Sequence, residues 1–274
     1  LERRLGAGAW LAVRYVASPG KRLLTSKDMN FNEETIAART YSILDANGRP
    51  AGSYQTSIYT SRASTNFSHV WEIANGGLSS YNAMVVQVNK DMSHGLSAQG
   101  SYTWSHAIGN VNGPWAVPSV PMNMLNGNLK ADRGNAGADQ RHRAALSWTW
   151  RPAVPAGAPP AARALLNNWQ QSAIVTLASG LPATPVVHLN GQQFTGTNML
   201  YGTTLNGSDA WGRVPFERVN SLRTQAERIV DVRLARSFHF GERFSASVGA
   251  EVFNLFNKQA ATRINTVAYA ATGG

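Results

Sequence analysis

Cysteine is absent from this chain of 274 residues, and its absence excludes two kinds of structure. Disulfide frameworks and thiolate metal sites both need cysteine. The sequence also lacks any uncharged apolar run near the about 20 residues that a membrane-spanning helix requires, so a helical membrane protein is excluded. Because the sequence begins with Leu1 and not with methionine, we expect a piece of something longer, in which no secretory signal can be sought.

Catalytic motifs are missing as well. The sequence contains no His-Glu-x-x-His, no Gly-x-Ser-x-Gly and no Walker-type loop. Its 6 histidines are scattered, and although His106 and His142 flank the same predicted loop, ordinary hydrogen bonding explains that pair better than a metal site does. We therefore predict that the protein is not an enzyme and has no catalytic residues, no metal site and no cofactor.

Acidic residues are few. The chain has 25 Lys and Arg against 15 Asp and Glu, a net charge of +10. The cations stand singly except at Arg3-Arg4 and Lys21-Arg22, and no nucleic-acid-binding motif accompanies them. We predict no nucleic-acid partner, because phosphate-rich lipid headgroups or a fragment's unequal share of charge explain the balance more simply.

What the sequence does have is alternation. In YNAMVVQVNKDMSHGLSAQGSYTWSHAIGN, residues 81–110, apolar side chains occupy every second position, and the pattern stops at Ser93-His94-Gly95 and then resumes. A period of two indicates strands with one apolar and one polar face, and a short break containing glycine indicates an antiparallel hairpin. Similar alternation recurs at 10–17, 143–150, 167–179, 228–238 and 243–256.

The connections between these strands alternate in length. Short turns near 91–95 and 239–242 are interleaved with long excursions, predicted at 18–80, 109–140 and 180–225, and a small hairpin is expected at 53–61 and 67–74 within the first of these. Transmembrane β-barrels have short periplasmic turns and long extracellular loops, and their strands are longer than the about 5 to 6 residues usual in soluble sheets. The expected fold is therefore all-β, an antiparallel transmembrane β-barrel.

Five segments, in order, resemble the C-terminal part of the barrel of TonB-dependent outer-membrane receptors, closest to the Oar-like subgroup with a carboxypeptidase-regulatory-like domain. They are LERRLGAGAWLAVRYVASPGKRL (1–23), YNAMVVQVNKDMSHGLSAQGSYTWSHAI (81–108), ADQRHRAALSWTW (138–150), LLNNWQQSAIVTLASGLP (165–182) and VDVRLARSFHFGERFSASVGAEVFNLFN (230–257). The resemblance covers most of the strands and little of the loops.

The resemblance implies a 22-stranded barrel in the bacterial outer membrane, with a plug domain inside it and import energised by the TonB complex. Residues 1–274 contain neither plug nor TonB box, and the family's usual final strand is missing after Asn257. We therefore expect one domain, a C-terminal portion of the barrel, with about seven complete long strands and a stub at 1–4. Such a portion should form an open curved sheet of about 8–10 strands with both edges unpaired. The implied partners are outer-membrane lipid, the plug of the parent chain with the TonB complex, and an unknown imported substrate.

Charged and polar residues on the polar strand faces and at the loop returns are candidates for contact with the lumen or the plug. They are Arg14, Gln87, Asp139, Arg141, Arg143, Asp231, Arg233 and Glu251. For DQRHR at 139–143, ion pairing that holds the returning loop is the favoured interpretation over ligand contact.

Aromatic residues near strand ends are candidates for the belts found at membrane interfaces. They are Trp10, Tyr15, Tyr102, Trp104, Trp148, Trp150 and Trp169. Two alternatives to a receptor fragment stay open: a self-contained porin-like channel, which needs barrel strands at 53–76 and 182–189, and a surface β adhesin that binds glycans or proteins through its loops.

Overall fold

The computed structural model describes residues 1–67, 70–110, 129, 132–190, 211–214, 216–241 and 243–272. The strands, in chain order, are β1 (Glu2–Gly6), β2 (Ala9–Asp28), β3 (Ile36–Asp45), β4 (Pro50–Tyr59), β5 (Trp71–Ser93), β6 (Leu96–Gly109), β7 (Gly134–Asn135), β8 (His142–Trp150), β9 (Trp169–Ala178), β10 (Pro182–Ala183), β11 (Val186–Asn190), β12 (Trp211–Arg213), β13 (Leu222–Arg223), β14 (Glu227–Phe240), β15 (Phe244–Val252) and β16 (Val267–Thr272). A 3-10 turn at Glu33–Thr35 and the short helix α1 (Pro160–Leu166) complete the described elements.

Most of the strands form one long antiparallel sheet. Its order is β1-β2-β5-β6-β8-β9-β14-β15, with the short β7 paired to the end of β6. Within the described residues β1 and β15 have no further strand beside them, so the sheet is open. The expected seven long strands and one stub are present, and the prediction of an open antiparallel sheet is confirmed.

The register gives the long sheet two different faces. Directly opposed residues in antiparallel strands point to the same side, and the row Leu11, Val88, Gly100 and Leu146 is apolar. The neighbouring row, one residue along each strand, contains Gln87 and Ser101. We call these the apolar face and the polar face of the long sheet.

Burial in this sheet is inverted relative to a soluble protein. Its buried apolar residues are all alanines: Ala12, Ala83, Ala173, Ala178 and Ala235. The large apolar residues of the apolar face are instead exposed, with Trp104 at 52%, Val248 at 68% and Phe244 at 73%. A sheet that presents its largest apolar side chains outward needs an apolar surrounding to cover them.

A second sheet packs in the manner of a soluble domain. Its order is β12-β11-β16-β3-β4, and all its strand pairs are antiparallel except β11 with β16, which is parallel. Tyr41, Ile43, Val187 and Val214 form its buried core. Its strands β3 and β4 are inserted between the end of β2 and the start of β5. The sheet therefore lies at the end of the long sheet where the long loops are, which we call the loop side.

The segment 18–80 differs from its prediction. Strands β2 and β5 stay paired as far as Asp28 and Trp71, so the connection is shorter than expected, and the hairpin within it is β3 with β4, not 53–61 with 67–74. Its turn is Asp45-Ala-Asn-Gly-Arg-Pro50, with Gly48 at a φ of +75°. Asn-Gly between two alternating segments is a strong hairpin signal, and here it marks the turn between β3 and β4.

The connection between β8 and β9 contains α1. Pro160, at the first position of α1, suits a helix start. The N–H at this position of a helix has no partner within the helix, so proline, which has no N–H, loses no hydrogen bond there. No helix in the described part of the chain is long and apolar enough to span a membrane. Of the predicted loops 109–140 and 180–225, residues 111–128, 130–131, 191–210 and 215 lie outside the described residues.

Candidate functional site

The polar face and the loop-side end of the long sheet contain the residues that the sequence predicts to contact the lumen or the plug. A groove on the polar face is lined by both polar and apolar side chains: Trp10, Gln87, Asn89, Gln99, Ser101, Ala145, Ser147 and Ile174. Its amides and hydroxyls suit hydrogen-bonding ligands, and Trp10, Ala145 and Ile174 add apolar area. The groove therefore offers a mixed polar and apolar surface with no charged side chain in its lining.

Six of the eight predicted lumen candidates lie on strands, and their registers place them on the polar face. They are Arg14, Gln87, Arg143, Asp231, Arg233 and Glu251. The structure pairs several of them with one another: Arg14 donates to Gln87 over 2.7 Å, and the Arg233 Nε lies 3.3 Å from the Glu251 Oε1. Both charged groups of the second pair are about half exposed, so their attraction is weakened by solvent.

The other two candidates, Asp139 and Arg141, belong to a partly buried cluster at the end of the loop between β7 and β8. The Asp139 side chain is fully buried. Its Oδ1 accepts the N–H of Ala107 over 2.7 Å, and its Oδ2 accepts from Arg223 over 2.5 Å and from Arg141 over 3.3 Å. Arg223 also donates to the main-chain oxygens of Asp139 and Gly180. We call these residues the Asp139 cluster.

The electrostatics of this cluster favour the ionised carboxylate. Burial by itself raises the pKa of Asp139, but the Ala107 N–H, the Arg223 hydrogen bond and the positive charges of Arg141 and Arg223 together hold that pKa below its ordinary value. The cluster connects three elements, because Ala107 lies in β6, Arg223 in β13 and Gly180 just after β9. It therefore fixes the bases of two long loops to the end of the long sheet.

A second contact joins the same two loops. Asn220 donates to the main-chain oxygen of Asn135 over 2.6 Å, and Asn135 donates to that of Asn220 over 3.1 Å. Thr184 adds a hydroxyl bond to the Asn220 side chain over 2.9 Å. Gly134 lies so close to Val219 that a Cβ at this position would come within 2.7 Å of the Val219 main-chain oxygen. The two loop bases thus pack directly against each other.

Sequence reasoning singled out Asp139 and Arg141 but missed Arg223 and Asn220. Arg223 lies 84 positions from Asp139, and Asn220 lies 85 positions from Asn135. No local sequence pattern connects residues so far apart. Asn220 has a φ of +56°, a conformation that asparagine tolerates better than most residues. That preference was the sole sequence signal available for it, and it does not identify a partner.

The predicted aromatic residues divide between the two faces. Six of them share the apolar face by register: Tyr15, Tyr102, Trp104, Trp148, Trp150 and Trp169. Trp10 is different, because it opposes Asn89 and lies on the polar face, where it lines the groove. Tyr102 and His142 form a hydrogen bond of 2.8 Å near the loop-side end of the apolar face. Six of the seven thus lie on the apolar face, as an interfacial belt requires, and Trp10 contributes to the groove.

His106 and His142, weighed in the sequence as a metal pair, have separate partners. His106 lies 3.1 Å from Asn135, and His142 pairs with Tyr102. Within the described residues no group of three or more His, Cys, Asp or Glu is placed to hold a metal ion. What the arrangement offers chemically is a hydrogen-bonding surface with the bases of two loops fixed at its rim.

Comparison with known proteins agrees with this geometry. Residues 1–274 match the family described as outer membrane beta barrel domain. The outer membrane transporter YddB from Escherichia coli superposes with a TM-score of 0.50 at 9% identity, over 98% of this chain and 30% of YddB. FpvA from P. aeruginosa, solved bound to a heterologous pyoverdine and iron, gives a TM-score of 0.39 at 9% identity, over 97% of this chain and 29% of FpvA. No curated protein matches significantly. The chain spans less than a third of the length of each of these two proteins, and the likeness to YddB concerns the fold alone.

Proposed function

Since the chain belongs to the family of outer membrane beta barrel domains, we propose that it forms part of the wall and the extracellular loops of a TonB-dependent import portal. In this proposal the apolar face contacts outer-membrane lipid. The polar face lines the lumen, where a plug domain and the passing substrate meet it. The role is passive and not enzymatic: the chain supplies a surface and a frame for the loops.

The observation that carries the proposal is the inverted burial of the long sheet. Exposed Val88, Trp104 and Leu146 on one face, opposite the groove of Gln87 and Ser101 on the other, are the arrangement of a barrel wall with lipid outside and water inside. The open edges at β1 and β15 leave room for further strands of a large barrel. The fold is shared with the outer membrane transporter YddB.

The porin-like alternative has less support. It requires barrel strands within 53–76 and 182–189, but residues 50–59 and 186–190 pair in the separate five-stranded sheet. The adhesin alternative expects no lipid-facing belt, and the exposed apolar face speaks against it. The Asp139 cluster fits a portal, because loops fixed at their bases can present a constant surface to an incoming ligand.

Neighbouring residues on β5 allow a direct test, because the chain has 0 cysteines and every introduced thiol is unique within it. Gln87→Cys and Val88→Cys place that thiol on opposite faces of the same strand. In intact cells that carry the protein in its outer membrane, a water-soluble maleimide should label Gln87→Cys and leave its matched control, Val88→Cys, unlabelled. A TonB-dependent portal further predicts that labelling of Gln87→Cys changes when the proton-motive force is collapsed with an uncoupler.

The two parts of this experiment report on different claims. Equal labelling of both thiols would contradict the assignment of the faces. Labelling of Gln87→Cys that ignores the uncoupler would contradict energised transport and favour a passive channel.

A further inference from the structure

The short helix α1 lies at the end of the long sheet where the tight turns are. It connects β8 to β9, and the register places Trp150 opposite Leu96, next to the turn between β5 and β6. Trp169, the first residue of β9, opposes Arg236 four residues before the end of β14. The tight-turn end of an outer-membrane barrel is the periplasmic end, so α1 belongs to that side.

The last turn of α1 is attached to the apolar face of the sheet. Trp169 donates its indole N–H to the main-chain oxygen of Leu165 over 2.9 Å, and Arg236 donates to that of Ala164. The Arg236 guanidinium lies 5.4 Å from the Trp169 ring centre and 5.1 Å from that of Phe238, within reach of cation–π attraction. Arg236, Trp169 and Phe238 share the apolar face by register. The helix is therefore held on the lipid side of the sheet, not on the lumen side.

The exposed surface of α1 is apolar and carries no negative charge. Its sequence is Pro-Ala-Ala-Arg-Ala-Leu-Leu, and Leu165 and Leu166 are 64% and 56% exposed. Two adjacent leucines left uncovered beside an aromatic cluster do not suit water. Arg163, the helix's single charge, suits the phosphates of lipid headgroups.

We infer that α1 is an interfacial anchor, with Leu165 and Leu166 inserted into the headgroup boundary of the periplasmic leaflet. The occupant of this surface is phospholipid, because the surface continues the apolar face, which contacts outer-membrane lipid under the proposed function on which this inference rests. Insertion of an apolar helix surface to about 5–10 Å is typical of interfacial helices. The aromatic neighbours Trp169 and Phe238 fit the same depth, since amphipathic and aromatic rings gather at membrane interfaces.

Fluorescence quenching tests the inference directly. The full protein carrying a single Leu165→Cys, labelled with an environment-sensitive dye, is reconstituted in vesicles of phosphatidylethanolamine and phosphatidylglycerol. Lipids with a nitroxide near the headgroup should quench this dye at least about twofold more than lipids with a nitroxide near the chain end. The matched control is Ala156→Cys, an exposed turn residue of the same connection, where quenching by aqueous iodide should dominate.

Each possible result decides the matter. Shallow lipid quenching at Leu165→Cys combined with iodide quenching at Ala156→Cys supports the anchor. Iodide quenching at both positions would place α1 in water and overturn it. Protection of Leu165→Cys from both quenchers would also overturn it, because that result points to a covering protein. Leu166→Cys repeats the measurement where labelling of Leu165→Cys disturbs insertion into the vesicle.

Discussion

The long sheet and the five-stranded sheet of this chain use the same strand chemistry in opposite ways. In the five-stranded sheet Tyr41, Ile43 and Val187 are buried against one another, as in a water-soluble domain. In the long sheet the buried apolar residues are alanines, and side chains as large as Trp104 and Phe244 are exposed. The difference follows from the solvent: one sheet hides its apolar face from water, and the other presents it to lipid.

This comparison also explains which interactions stabilise each region. A face covered by lipid gains little from tight packing between its own side chains, because lipid tails are as apolar as leucine. Its strands are stabilised by the hydrogen-bonded ladder, which must be satisfied within the membrane. The loop-side region instead depends on a packed core and on the buried Asp139 carboxylate with its partly exposed arginine partners.

The largest expected effect comes from the core of the five-stranded sheet. Ile43→Ala should lower the local free energy of unfolding by about 2–5 kcal/mol, because a buried side chain is removed and a cavity is left. Hydrogen exchange of the β3 and β16 amides would measure the loss. The matched change Leu146→Ala, on the exposed apolar face, should cost much less in a lipid vesicle. Equal losses at both positions would break the contrast between the two sheets.

A charge on the apolar face should have a comparable effect for a different reason. Val88→Arg should cost about 2–4 kcal/mol if Val88 lies near the membrane midplane, because the guanidinium must leave water. Urea unfolding of the protein in lipid vesicles would measure it. Ser101→Arg, on the polar face, should be mild. A penalty for Ser101→Arg as large as that for Val88→Arg would contradict the assignment of lipid and lumen.

Acidification should release the loop bases. Because the pKa of Asp139 is lowered in the folded protein, its contribution to stability is complete above the ordinary value of 3.8. It is lost as the pH falls from there through the lowered folded pKa. Protease cleavage of the loops, compared at pH 6 and about pH 3 with an acid-active protease, should rise on acidification in the parent protein. The loops of the Asp139→Asn variant should be cleaved readily at both pH values. If cleavage of this variant rose on acidification as much as cleavage of the parent protein, Asp139 would be excluded as the titrating group.

The smallest effect is expected at the exposed pair on the polar face. Glu251→Gln should change stability by about 0–1 kcal/mol, because both partners are half exposed and solvent weakens their attraction. Asp139→Ala removes a buried carboxylate with three donors and should cost about 1–3 kcal/mol. Thermal unfolding of the two variants side by side would compare them. A larger loss for Glu251→Gln would mean that solvent does not reach the polar face.

The sequence alone determined the faces of the long sheet and the positions of its strands. Alternation of the Met84, Val86, Val88 kind is a local property with a period of two, and lipid on one side enforces it along the whole strand. The same reasoning placed Gln87, Arg233 and Glu251 together on the polar face. It failed for the segment 18–80, where the Asn47-Gly48 turn was available but overlooked.

Only the tertiary structure decided the partners that are distant in sequence. Arg223 reaches Asp139 across 84 positions, and β16 pairs in parallel with β11. Neither pairing leaves a periodic signal, because one depends on a single side chain and the other on short strands that many segments could provide. The attachment of α1 through Trp169 and Arg236 likewise depends on the register between β9 and β14. The physical reason is common to all three: alternation fixes which way a side chain points, whereas register and chain path fix what it meets.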